Sequence, residues 1–124
     1  NICIAWMKGE DLNLREKIIA ADPDRIFICS IVKAELNYGA QKSQQRQKNE
    51  KRLEAFFSQI VSLPFDDVSA EHYGALRFSL EKSGMRVGEN DLKIAAIAEQ
   101  HMLTMVTRNQ SEFQRIPSLK VEIW

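Results

Sequence analysis

Two carboxylates and one amide carry the chemistry legible in this 124-residue chain. Asp91 heads an apolar helical pattern, residues 89–100, which runs into an apolar strand pattern, 103–107, closed by Thr107-Arg108-Asn109. Glu35 sits in a second helical pattern, residues 31–41. Ile31, Val32, Tyr38 and Gly39 lie three and four residues either side of it, so its carboxylate falls within the apolar stripe. An ionised carboxylate buried alone costs several kcal/mol or takes up a proton, and a bound cation removes that cost. Two plainer readings stay open: Glu35 as a core acid paired with Arg or Lys, and Asp91 as a helix cap or dipole partner. Oxygen ligands, with no Cys or His pair at zinc spacing, suit hard Mg²⁺ or Mn²⁺. Such ions lower the pKa of a water and stabilise the leaving oxygen in phosphoryl transfer.

The elements that must position these groups follow from hydrophobic period and punctuation. Residues 2–7 are apolar and end at Gly9; residues 12–21 read as a short amphipathic helix stopped at Asp22-Pro23-Asp24. Residues 26–30 read as a buried strand, short and β-branched. A polar stretch, 42–52, leads into a helix with Leu53, Phe56, Phe57 and Ile60 on its apolar side. Residues 61–65 suit a brief strand. Ser69 suits the cap of a helix carrying Tyr73, Leu76, Phe78 and Leu80 and ending at Gly84. A turn of helix near 111–115 and a strand over 120–124 complete the chain. Strands alternating with helices of ~10 to 15 residues indicate a single α/β domain, residues 1–124, around a mostly parallel sheet. Ligands of such sheets bind beyond the carboxyl ends of the strands, and Ser30 and Asn109 mark two of those ends.

Composition narrows the class. The chain is 44% hydrophobic and 27% charged, the balance of a globular domain able to bury a core without staples. Seventeen Lys and Arg offset seventeen Asp and Glu, so net charge points to no nucleic-acid or membrane partner, and such binding has to come from local patches. No apolar run approaches the ~20 residues of a membrane span. Cys3 and Cys29 lie in apolar stretches without CxxC spacing, as expected of reduced core thiols in a cytoplasmic protein. The chain starts on Asn with no secretory leader pattern, so the natural start, and most of the first strand, are expected to lie ahead of it.

Four stretches, in order and spanning nearly the whole chain, resemble the PIN-domain ribonucleases, specifically the VapC-type toxins of prokaryotic toxin-antitoxin pairs. They are Asn1-Ile-Cys-Ile; Ser30-Ile-Val-Lys-Ala-Glu35-Leu-Asn-Tyr-Gly-Ala40; Val87-Gly-Glu-Asn-Asp91-Leu-Lys-Ile-Ala-Ala96; and Val106-Thr-Arg-Asn109 with Glu112-Phe113 and Ile116-Pro117. The resemblance implies a three-layer α/β/α fold, cleavage of RNA with Mg²⁺ or Mn²⁺, a homodimer, and inhibition by a cognate VapB-like antitoxin. It makes Glu35 the family's second acid and Asp91 its third, both metal ligands. The first acid belongs to an Asp-Thr-Asn motif whose last residue matches Asn1, which places it two positions before this chain. Where the family often has Asp after Thr-Arg, this chain has Asn109, and Glu112 one helical turn on is the candidate to supply that carboxylate.

Other residues invite weaker readings. Lys42, Arg46, Lys48, Lys51 and Arg52 suit RNA phosphates or a solvated helix face. Arg86 and Arg108 are better candidates for RNA contact, being neighbours of Asp91 and Asn109, with surface ion pairing as the simpler account. His72 and His101 stand isolated, without a partner for acid-base work. Trp6 and Tyr38 suit base stacking or the core; Phe56, Phe57, Tyr73 and Phe78 suit the core or a subunit contact. Two alternatives remain. One is a catalytically incompetent PIN-like domain that only binds antitoxin or RNA. The other is an unrelated α/β domain for a phosphorylated ligand, disfavoured by the absence of any GxxxxGK[ST] or GxGxxG stretch.

Overall fold

The computed structural model describes residues 2–124, apart from the side chain of Gln110. Its helices and strands fall into two compact units, Asn1–Leu63 and Pro64–Trp124.

In the first unit, α1 (Ile2–Lys8) and α2 (Leu12–Ala20) precede strand β1 (Phe27–Cys29), and α3 (Ser30–Gln41) and α4 (Arg46–Phe57) lead to β2 (Val61–Leu63). Asp11 caps α2 by accepting the Leu14 N–H at 3.0 Å, an interaction that satisfies one of the orphan donors of the first turn. β1 and β2 pair in parallel, Ile28 opposite Ser62. Parallel pairing requires a crossover, which α3 and α4 supply. Ile28, Leu36, Ala40 and Leu53 form the core, flanked by Cys3, Met7, Val32, Phe56, Phe57 and Ile60. Trp6 packs edge-on against Phe56, centroids 5.3 Å apart, so it belongs to this packing rather than to a stacking surface. Among the described residues Cys3 and Cys29 form no disulfide, and burial pushes the Cys3 thiol up to about 11 and raises that of Cys29, as expected of inert core thiols.

The second unit holds α5 (Asp67–Lys82), α6 (Glu89–Gln100), β3 (Met105–Thr107), α7 (Gln110–Phe113) and β4 (Val121–Ile123). β3 and β4 again pair in parallel, Val106 opposite Glu122. α6 buries Leu92, Ala95, Ala96 and Ala98 in one cluster with Leu76 and Leu80 of α5 and with Phe113, Ile116 and Leu119, and its Ile97 is buried as well. Ala95 and Ala96 are 0% exposed; with side chains this small, the neighbouring backbone can approach closely.

Several expectations need correction. Asp66, not Ser69, caps α5: its Oδ1 accepts the Ser69 N–H at 2.9 Å and the Ser69 hydroxyl at 3.1 Å. Ser69 is therefore the third helical residue, fully buried, its hydroxyl also bonded to Gln100 Oε1. α4 starts at Arg46, inside the stretch read as polar lead-in, because Arg, Gln, Lys and Glu propagate a helix well and Arg46 pairs with Glu50 at 2.9 Å one turn on. Phe78 and Tyr38 are exposed rather than core. Among the described residues no helix is long and apolar enough to cross a membrane.

Candidate metal centre

The second unit brings two of the candidate acids together at one glycine. α6 opens on Gly88, whose carbonyl accepts the Leu92 N–H at 2.9 Å, and Asp91 follows in the first turn, half-buried. A β-carbon built on Gly88 would lie 3.6 Å from Asp91 Oδ2 and 4.0 Å from Glu112 Oε2. Glu112 comes from α7, twenty-one residues further along, and is placed by Phe113 and Ile116, both buried in the core. The Arg115 guanidinium donates to the Arg86 carbonyl at 3.0 Å, tying the segment before Gly88 to the segment after α7.

This pair fits a hard cation. Glu112 Oε2 is fully buried and accepts no hydrogen bond. A buried, unsatisfied carboxylate oxygen is costly, and a small divalent ion beside it offsets that cost with the ligand type it prefers. The fit is incomplete by count: among the described residues, no group of three or more His, Cys, Asp or Glu is arranged to hold a metal.

The remaining predicted residues fall elsewhere. Glu35 belongs to the first unit and is exposed on α3, so the desolvation argument that singled it out does not apply. It lines a mostly apolar cleft of about 350 Å³ with Ile4, Met7, Leu36 and Leu53 and with the polar Lys8, Asn49 and Arg52. The error came from counting Tyr38 and Gly39 as buried neighbours; α3 buries only Leu36 and Ala40. Asn109 is exposed; its N–H donates to Thr107 Oγ1 at 2.9 Å and its Oδ1 accepts the Ser111 hydroxyl at 3.2 Å. Arg86 and Arg108 are exposed, as a phosphate contact requires. Asn1 lies outside the described residues.

His72 is not isolated, since its Nδ1 sits 2.6 Å from Glu99 Oε1, and Glu99 Oε2 accepts the Ser118 hydroxyl at 2.5 Å. That cluster fastens α5, α6 and the 116–119 turn together, a structural role. The basic cluster, Lys42 at the end of α3 and the rest on α4, is partly engaged: Arg46 with Glu50, and the Lys42 ammonium over the Tyr38 ring at 5.0 Å. Sequence reasoning gave no role to Gly88 or Arg115. The signal for Gly88 was present, because glycine is a weaker N-cap than Ser, Asp or Asn at a helix start bearing an acid three residues on.

An α/β fold with parallel strand pairs and two acids converging at a helix start defines the class, a domain suited to a hard cation. The sequence profile of the PIN domain matches residues 1–119, and the chain belongs to that family. Among its relatives are Ribonuclease VapC2 of Rickettsia felis, 40% identical over all of this chain and 93% of the relative, and a tRNA(fMet)-specific endonuclease VapC of Shigella flexneri, 37% identical with the same coverage. Solved structures agree. VapBC2 of Rickettsia felis bound to a promoter DNA fragment has a TM-score of 0.92 at 37% identity, covering 100% of this chain and 94% of that one. DNA-bound VapBC of Salmonella typhimurium has a TM-score of 0.91 at 37% identity, covering 98% and 92%. PIN-domain nucleases are divalent-metal dependent as a class, in keeping with the Asp91–Glu112 pair.

Proposed function

We propose that this chain is the toxin ribonuclease of a type II toxin-antitoxin pair, a single PIN-like domain that hydrolyses RNA phosphodiester bonds in the cytoplasm. The observation that carries the reading is the convergence of Asp91 and Glu112 on Gly88, with Glu112 Oε2 buried and unsatisfied. Asp91 and Glu112 would hold the cation in the second unit, with Asn109 of the same unit as a further oxygen donor, and Glu35 is a metal ligand by the family resemblance alone. Mg²⁺ or Mn²⁺ is the ion this oxygen-only set suits. When bound, the ion supplies a water of lowered pKa and stabilises the leaving oxygen.

The protein's own part is positioning and charge. The core beneath α6 and α7 fixes the two carboxylates, and their partial burial strengthens every electrostatic contact they make. Arg86, ahead of Asp91, and Arg108, beside Asn109, are both exposed and would meet phosphates of the RNA. Transfer RNA is the favoured substrate class, since relatives at this identity bear that specificity in name, with ribosomal RNA second. A homodimer inhibited by a VapB-like antitoxin is the expected assembly, because the related structures are VapBC complexes.

A second reading, a PIN-like domain that binds without cutting, draws on the absence of a three-acid cluster among the described residues. Cleavage-site mapping on total cellular RNA by the purified full chain separates the two. The nuclease reading expects discrete metal-dependent cuts, reduced at least about a hundredfold in Asp91→Asn and in Glu35→Gln with the fold intact by circular dichroism. Undiminished cutting by both variants would sink the assignment of these acids, and no cutting by the parent favours the binding-only reading.

A further inference from the structure

Gly88 precedes an exceptionally well-buried helix, yet nothing in its backbone demands glycine. Its φ of −53° and ψ of 146° lie in the extended region open to any residue. Capping does not demand it either, for α6 has no side-chain cap, and Ser, Asp or Asn there would hold the helix start better. Nor does backbone packing: within 4 Å, an added β-carbon would meet, among the described residues, only the two carboxylate oxygens, Asp91 Oδ2 and Glu112 Oε2. Both separations are ordinary van der Waals contacts, so a methyl group fits without moving the chain.

What a methyl group would change is the space beside the pair. It would stand against both oxygens, Glu112 Oε2 being already sealed from water, and fill volume that is otherwise open next to them. Mg²⁺ sheds water reluctantly and keeps several waters even when bound, so a ligand pair for it needs open volume as well as charge. We propose that Gly88 is a positioning residue of the metal site: its missing side chain is the space in which a hydrated cation meets Asp91 and Glu112. This rests on the nuclease reading and adds to it a residue that contributes by absence.

The test compares Gly88→Ala and Gly88→Ser with the parent and with Glu112→Gln, all as full chains, by Mn²⁺ calorimetry and by melting in EDTA. Both Gly88 variants are expected to bind Mn²⁺ at least about tenfold more weakly. In EDTA the Ser variant should melt at or above the parent, since Ser caps better than Gly, whereas Ala should melt slightly lower. Weaker binding alongside unimpaired stability cannot come from a damaged fold. If both Gly88 variants bind Mn²⁺ within twofold of the parent while Glu112→Gln does not, the inference fails and the site stands. If the parent takes up no Mn²⁺, or Glu112→Gln binds it unchanged, the site fails and the inference with it.

Discussion

α3 and α6 are each twelve residues long and each presents an acid, but they present it in opposite ways. α3 buries only Leu36 and Ala40, leaving Glu35 exposed on the wall of an open cleft. α6 buries five residues, four of them consecutive, and holds Asp91 half-buried beside a second carboxylate with an orphaned oxygen. Burial on more than one side of a helix fixes its axis and roll, so Asp91 is aimed by the core. Glu35 is not aimed by a core in this way. The two helices should therefore differ in their sensitivity to mutation.

The sharpest break of that contrast is by overpacking. Ala96→Leu, at a position with no exposure, should cost about 1–3 kcal/mol, whereas Ala34→Leu on the exposed side of α3 should change stability by less than about 0.5 kcal/mol; urea unfolding measures both. Equal effects would mean that α6 is no more constrained than α3. A smaller effect of opposite sign is expected at the acids themselves. In EDTA, Glu112→Gln should raise the melting temperature, relieving an unsatisfied buried carboxylate oxygen at a gain of about 1–2 kcal/mol, while Glu35→Gln, at an exposed position with no such oxygen to relieve, should not raise it. A destabilised Glu112→Gln would show that its carboxylate is satisfied without a cation.

The smallest effect concerns the cap of α5, the helix on which α6 rests. The Ser69 N–H, with help from the Gln100 and Ser69 side chains, holds the Asp66 carboxyl below the usual carboxylate range. A depressed native pKa contributes stability that is present above the unfolded value near 3.9 and is lost as pH falls through the lower native value. Asp66→Ala should therefore melt below the parent at pH 7, and the gap should close as the pH drops below about 4. A gap independent of pH would assign the loss to something other than the ionised cap.

Most element positions were readable because their apolar residues recur with clear period: β1 and α6 fall within a residue of the patterns 26–30 and 89–100, and the strand after α6 was only trimmed, from 103–107 to Met105–Thr107. Three things were not readable, each for a physical reason. The apolar run after Asn1 is too short for periodicity to separate helix from strand, and it forms α1. α4 begins among charged residues, where helix propensity and an ion pair act without any hydrophobic signal. Burial of Glu35 was inferred from neighbours that turned out to be exposed or only half-buried, since spacing fixes which residues share a face but not whether that face is covered. The site was legible to the extent that Asp91 and Glu112 were named. That they meet at Gly88 depends on the return of the chain through α7, which local sequence does not encode.

That return gives the Asp91–Glu112 pair a birth order. Gly88 and Asp91 leave the ribosome first, and Glu112 follows only after the whole of α6 and β3 has been made. At roughly 5–20 residues per second the interval is on the order of one to four seconds. Phe113, Ile116 and Leu119, which close the core beneath α6, and β4, which pairs with β3, emerge later still. During synthesis the nascent chain therefore lacks the second carboxylate and the packing that aims it. The Asp91–Glu112 pair is therefore complete only once the chain through α7 has been made.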